Sequence, residues 1–293
     1  MTLHTDLPPT HLTRTSVEPD LRSAPTTPRS ADSRGGMALL APVAGVLGAV
    51  GLWWLLTDVV FAGRALVPEF SPRRTLTGLR EILSAGVIDH AASSVFRLLA
   101  GLALATVIGV TVGALVGSHP TLERTLRPCL LFLRMVSPLS WAPVAVIALG
   151  IGDRPVVALV AATTVWPILA STAEGVAAVD PGHALVARAL GASRWELLRT
   201  VTVPSVRPRV LSGLRMAIGI GWVVLVPAEM LGVTSGLGYQ ILNAKDQLAY
   251  HQITALILVI GTIGYAVDVL ARWALRTPRE RADVPPTMGT LRR

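Results

Sequence analysis

Lysine and cysteine are almost missing from this sequence: its 293 residues hold one of each, Lys245 and Cys129. A single cysteine excludes an intramolecular disulfide. Cys129 stands at the start of an apolar stretch, where a thiol behaves as a small hydrophobe. A single lysine, followed by Asp246 and preceded by no glycine-rich loop, excludes a P-loop, whose lysine must reach the nucleotide phosphates. Energy from ATP would have to come from another chain. Enzyme motifs are missing too: there is no His-Glu-x-x-His, no Cys/His cluster and no Gly-x-Ser-x-Gly elbow. His183 and His251 lie far apart in loop segments and read as solvated, so neither a metal nor a cofactor is expected.

Charge is also scarce. Charged residues make up 15% of the chain against about a quarter in soluble domains, while 52% is hydrophobic and mean hydropathy is +0.58. The charges cluster at the ends and in loops, leaving long apolar windows, which is the pattern of a polytopic membrane protein. The net charge of +8 comes from cations flanking those windows, so it orients a chain in a lipid bilayer rather than marking a nucleic-acid partner. Residues 1–36, rich in Pro, Thr, Ser and Arg, bury too little apolar surface to fold and read as a disordered tail. A signal peptide is not indicated, because the apolar segment begins at Met37 and runs uncharged to Thr57.

At about 20 apolar residues per crossing, six spans are expected, at 37–57, 93–117, 128–150, 155–177, 210–232 and 253–274. The fold class is therefore all-α. A polar turn from Ser118 to Arg127 separates the second and third spans, and Gly150 to Pro155 separates the third and fourth. An even number of spans places both termini on one side. The tails and the loops at 118–127 and 178–209 hold most of the arginines, so the positive-inside rule puts both ends in the cytoplasm. The segment 58–92 then lies outside despite Arg64, Arg73, Arg74 and Arg80, with a short amphipathic surface helix from Leu76 to Leu83. In the second span Gly101, Ala105, Gly109, Gly113 and Gly117 recur every fourth residue. This bare face fits close helix packing or a face that slides between two states.

The segment 178–209 is the most structured of the loops. Asp180-Pro181 reads as a helix start, with the carboxylate as cap and proline at the first position. That helix runs from His183 to Leu190 and stops at Gly191. Ser193 and Glu196 form a capping box for a second short helix, expected to end before Pro204. Two rigid helices held between spans suit docking to a partner.

From Gly191 the chain reads Ala192, Ser193, Trp195 and then Val201-Thr202-Val203-Pro204. This resembles the cytoplasmic signature of binding-protein-dependent ABC importer permeases, Glu-Ala-Ala, three residues, Gly, nine residues, Ile-x-Leu-Pro. Leu185 and Val186 replace the leading Glu and first Ala, and Ala187 keeps the second. The likeness extends over about 68–275, through Ser94 to Gly101, Val136 to Pro143 and Ala228 to Tyr239, and is to the nitrate/sulfonate/taurine branch. The resemblance implies a type I ABC importer permease fold with its permease domain at 93–274. It implies a separate ABC ATPase docking at Ala187, Gly191, Ala192, Ser193, Trp195 and Pro204. It further implies an extracytoplasmic solute-binding protein, a homodimer, a cell-membrane location and a small anionic solute. A secondary transporter working without an ATPase is the rival, and the scarcity of ionisable residues within the spans weighs against it.

The ionisable and polar residues near the spans leave alternatives open. Arg134 either snorkels to the membrane surface or serves an anion path. Glu229 is either a structural hydrogen-bonding group or part of an external gate or binding-protein contact. Pro138 and Pro143 free backbone carbonyls near Ser137, Ser140 and Trp141, which either line a polar path or fit a kink to its neighbours. Asp268 and Arg272, four apart, should pair on one helix face.

Overall fold

The computed structural model describes residues 34–64 and 66–275, and within them every regular element is helical. α1 covers Arg34–Trp54, α2 Pro72–Ser84, α3 Val87–Ser118 and α4 Pro120–Met135. There follow α5 Ala142–Leu149, α6 Asp153–Ala177, α7 Pro181–Ala189 and α8 Arg194–Leu197. α9 Val203–Gly232, α10 Leu237–Asp246 and α11 Tyr250–Ala274 complete the order. The expected tails at 1–36 and 275–293 lie outside the described residues except at their inner edges, where 34–36 already belong to α1.

Two units are distinguished, one up to Ala49 and one from Val50 onward. The first contains the opening of α1. In the second, the end of α1 passes into a π-helical turn, Leu55–Val60, and Trp53 Nε1 donates to Phe70 O at 3.0 Å.

The core of the second unit is a three-helix contact of α3, α6 and α9, and the spacing of small residues explains how close it is. Ala105 is fully buried, and the glycines beside it face α6 along its length. A Cβ at Gly101 would come within 2.6 Å of Val160, and one at Gly113 within 2.6 Å of the Leu169 carbonyl. Gly117 lies equally tight on Ala173. The bare face is therefore a packing surface inside one subunit, where backbones approach closely and gain dispersion contact that lipid cannot supply. Leu98, Leu102, Val156, Val160, Ile168 and Leu225 fill the remaining space. A second cluster joins α2, the start of α3, α10 and α11 through Ile82, Val87, Leu237, Ala244, Ala255 and Leu256.

Five helices are long and apolar enough to cross a membrane, or six if a bent pair is counted as one span. That pair is where the structure departs most from the expected spans. The third span is not one kinked helix at 128–150, because Pro128–Met135 and Pro138–Leu149 meet at 77°. Val136 and Ser137 are extended, as residues before a proline tend to be, and Pro138–Trp141 forms a single 3-10 turn before α5. Nor is Ser118 to Arg127 a polar turn. Pro120 opens α4 directly after an extended His119, so only one residue separates α3 from α4.

Two further boundaries move. Span two begins at Val87, after Gly86 at φ +83. The amphipathic segment before it is α2, but its buried face is Thr75, Gly78 and Ile82, while Leu76 and Leu83 point outward. Gly78 is needed there because a Cβ would strike the His251 carbonyl at 2.7 Å. α10 stands where the sequence reading placed only a loop. Asp268 and Arg272 do pair within α11.

A side chain at Gly113 has no room in the α3–α6 contact. Replacing Gly113 by Leu should lower stability by about 1–3 kcal/mol, the usual cost of overpacking. The check is the thermal unfolding midpoint of the purified chain in detergent, with Gly45→Leu, at a glycine that has open space around it, as the control.

Candidate functional site

Three constellations carry the polar chemistry of the chain. The first is the loop between α6 and α9. Asp180 caps α7, its Oδ1 accepting from Gly182 N at 2.7 Å. The helix ends in a paired-bond cap: Ala192 N donates to Ala187 O at 3.0 Å and Gly191 N to Arg188 O at 2.9 Å. Gly191 takes φ +86 to make that cap, a conformation in which a Cβ would crowd the carbonyl. Ser193 Oγ accepts from Glu196 N, and Glu196 Oε2 accepts from Ser193 N at 2.8 Å, closing the capping box.

The second loop helix does not end before Pro204. Leu198, Thr202 and Val203 all keep right-handed helical backbone, and a π-helical turn, Leu198–Thr202, leads straight into α9. A wider turn absorbs the amide that Pro204 lacks. The run from Arg194 to Gly232 is thus one helix of 39 residues. Ala187 and Ala192 are half-buried, whereas Gly191, Ser193, Trp195 and Pro204 are exposed. Around them Leu190 is 83% exposed and Trp195 67%, with Leu185 and Val186 also outward. An apolar surface on so well capped a loop is suited to contact with another protein.

The second constellation lies at the opposite end of the bundle and is built on one face of α3. His90, Ser94 and Arg97 are spaced by four and three residues, so they share that face. Arg97 is almost fully buried. Its Nε donates to Asp153 Oδ1 at 2.7 Å, and its Nη1 to Glu229 Oε1 at 2.7 Å and Ser235 O at 2.8 Å. Glu229 has no exposed surface and also receives bonds from Ser94 Oγ and from Gly238 N at 2.9 Å. Ser94 Oγ accepts from Leu237 N at 2.9 Å, and His90 Nδ1 accepts from Gly236 N at 3.1 Å. Its other ring nitrogen, Nε2, lies 2.6 Å from Gln240 Nε2. The first amides of α10 are thereby capped by side chains of α3 and α9. Glu229 functions here as a hydrogen-bonding centre between helices.

Sequence reasoning singled out Glu229 but missed Arg97, His90 and Asp153 as its company. The i, i+4, i+7 spacing of His90, Ser94 and Arg97 was the available signal.

The third constellation is the break between α4 and α5. Arg134, Ser137, Ser140 and Trp141 all sit on it, exposed, and apart from the Glu229 cluster. Arg134 lines a cavity of about 400 Å³ with Glu123, Leu131, Trp166 and Glu174. Among the described residues it makes no hydrogen bond or ion pair. Elsewhere, His251 is not a free solvated side chain. Gln252 Nε2 and His251 Nε2 both bond to Glu81, at 2.9 and 2.8 Å, and hold its carboxyl below the ordinary carboxylate value. No group of three or more metal-ligating side chains occurs among the described residues.

Helices of this length around a glycine-lined core, with a broken span and an exposed capped loop, define a multi-span membrane protein. The comparisons give the family. Residues 105–279 match the binding-protein-dependent transport system inner membrane component, and the chain belongs to that family. It is 33% identical over 250 residues to the bicarbonate transport system permease protein CmpB of Synechococcus elongatus, covering 81% of this chain and 88% of the relative. It is 31% identical over 222 residues to the taurine transport system permease protein TauC of Escherichia coli, covering 74% and 81%. The nitrate import permease protein NrtB of Synechococcus elongatus is 33% identical over 186 residues, covering 62% of this chain and 67% of the relative. A chain of the inward-facing MetNI methionine ABC transporter shares the fold, with a TM-score of 0.50 and 19% identity over 65% of this chain and 96% of that one. The protein is thus a permease subunit of an ABC importer, not an enzyme, and membership of the family implies an ATPase and a substrate-binding protein as partners.

The buried pair of Arg97 and Glu229 should be intolerant of losing one member. Glu229→Ala leaves a guanidinium buried beside its remaining partners and should cost about 3–5 kcal/mol. Glu229→Gln, which keeps the hydrogen-bonding shape, should cost clearly less. Both are read from unfolding midpoints and from the yield of monodisperse protein.

Proposed function

We propose that this chain carries a small oxyanion across the membrane, powered by an ATPase that docks on the loop 178–209. The observation that carries the reading is mechanical: the exposed Trp195, on the same loop as the exposed Leu190, is joined to α9 by unbroken helix. A push on α8 is therefore a push on the whole of α9, whose far end holds Glu229. Within the loop, Ala187, Gly191, Ala192, Ser193, Trp195 and Pro204 form the coupling site.

The solute class follows from the printed names of the relatives, bicarbonate, nitrate and taurine, each carrying a planar or tetrahedral oxyanion group. Arg134, with the hydroxyls of Ser137 and Ser140 and the indole N–H of Trp141 at the broken span, supplies a guanidinium and further donors for its path. Two copies pair as a homodimer with the path on the axis between them. The outward apolar side chains of α4, Phe132 and Met135 among them, supply surface for that contact. The transport unit spans 93–274, and arginine-rich tails and loops set both termini in the cytoplasm.

The test is reconstitution into vesicles. Uptake of nitrate, bicarbonate or taurine should require ATP, an ATPase subunit and an external binding protein, and uptake driven by an ion gradient alone refutes the reading. Within that assay, Ala187→Asp or Gly191→Asp should cut ATP-driven uptake by about tenfold or more, with the protein still in the membrane. Normal transport by both variants removes the coupling role from this loop.

A further inference from the structure

The end of α10 uses the same cap as the end of α7, with one difference. At α7, Ala192 N bonds to Ala187 O and Gly191 N to Arg188 O, and the left-handed position is a glycine. At α10, Ala249 N bonds to Ala244 O at 2.9 Å and Leu248 N to Lys245 O at 3.1 Å. The left-handed position is now Leu248, at φ +60, the one non-glycine residue of positive φ among the described residues. A γ-branched side chain there is strained by its own Cβ, and glycine would close the cap without that penalty. Nor does the leucine repay the strain by packing, since it is 68% exposed. Strain kept at an exposed apolar residue points to something outside the chain.

The surroundings indicate what. At Gln247, the residue before Leu248, is a cavity of about 350 Å³ lined by the polar Glu81, Gln240, Asn243, Gln247 and Gln252 and by four apolar side chains. Lys245, Asp246 and Gln247, which precede Leu248, are all exposed. With five of its nine lining residues polar, the cavity suits a lipid tail poorly. A folded polypeptide suits it better, by seating the leucine in an apolar pocket and a polar side chain among the amides. The patch lies at the end of the bundle away from the loop 178–209, because α10 begins at the Arg97–Glu229 cluster.

We propose that Leu248, with the adjoining amide-lined cavity, is a contact for the extracytoplasmic solute-binding protein. The leucine inserts into the partner and is held out by the strained cap. This rests on the importer reading above and adds the contact on the permease.

The experiment uses the full chain with its ATPase in lipid nanodiscs, and as probe the solute-binding protein that stimulates ATP hydrolysis by that complex. Leu248→Gly should weaken binding of the probe by at least about tenfold, with an unfolding midpoint equal to or above that of the parent. Unchanged affinity overturns the proposal. So does a lowered midpoint, which would make the leucine part of the fold. A fluorophore at Leu248→Cys in a Cys129→Ser background separates the other occupants. A signal changed by the binding protein supports the contact. Quenching by brominated lipid, or self-quenching between two copies, with no response to the binding protein, overturns it. Should no solute-binding protein stimulate the parent complex, the importer reading fails and takes this contact with it. A stimulated parent with an indifferent Leu248→Gly defeats the contact alone.

Discussion

The bond network around Arg97 is the constraint on which the rest of the structure depends. A guanidinium out of water is tolerable only if its donors are met, and here three segments meet those of Arg97 on α3: Asp153 at the start of α6, Glu229 on α9, and Ser235 before α10. The fit fixes where three long helices end relative to one another. Below it the glycine face of α3 lets α6 approach to backbone contact, which a slipped register would forbid, because larger side chains would then meet there. Directional bonds at one end and steric fit along the shaft specify the same arrangement. Agreement of that kind between levels is what a unique fold requires.

The continuous helix from Arg194 to Gly232 relates the two ends of the molecule. At 1.5 Å per residue it spans about 58 Å, longer than a bilayer with its headgroups. Its first turn is fixed by a capping box and its last turns by the buried carboxylate of Glu229. A π-helical turn in the first third loosens the ladder of bonds just before Pro204, and Pro208 and Pro227 each remove a backbone donor further along. Rigid elements with two anchored ends and few soft points transmit displacement well and store little of it.

Much of this was legible in the sequence because it is local. Asp180-Pro181, Gly191 and the Ser193–Glu196 pair each satisfy their own neighbours, so caps could be placed from spacing alone. The fourfold spacing of Gly101 to Gly117 announced a close contact, and the Asp268–Arg272 pair followed from helix geometry. What stayed hidden depends on partners distant along the chain. Arg97 meets Asp153, Glu229 and Ser235, and no periodicity in α3 names them. Pro138 showed that the third span is interrupted, yet proline fixes only its own φ, and the 77° bend is set by packing on α6 and α9. Pro204 misled for the reverse reason: a rule about residues preceding proline was outweighed by helix continuing from both sides.

Almost all of the positive charge is arginine, and this leaves the chain with a single ε-amine, exposed on Lys245 beside Asp246 at the tip of α10. Guanidinium groups are inert to reagents that acylate amines, so apart from the α-amino group such chemistry has one address. A membrane-impermeant acylating reagent added from either face would report which compartment that tip enters, without altering a residue.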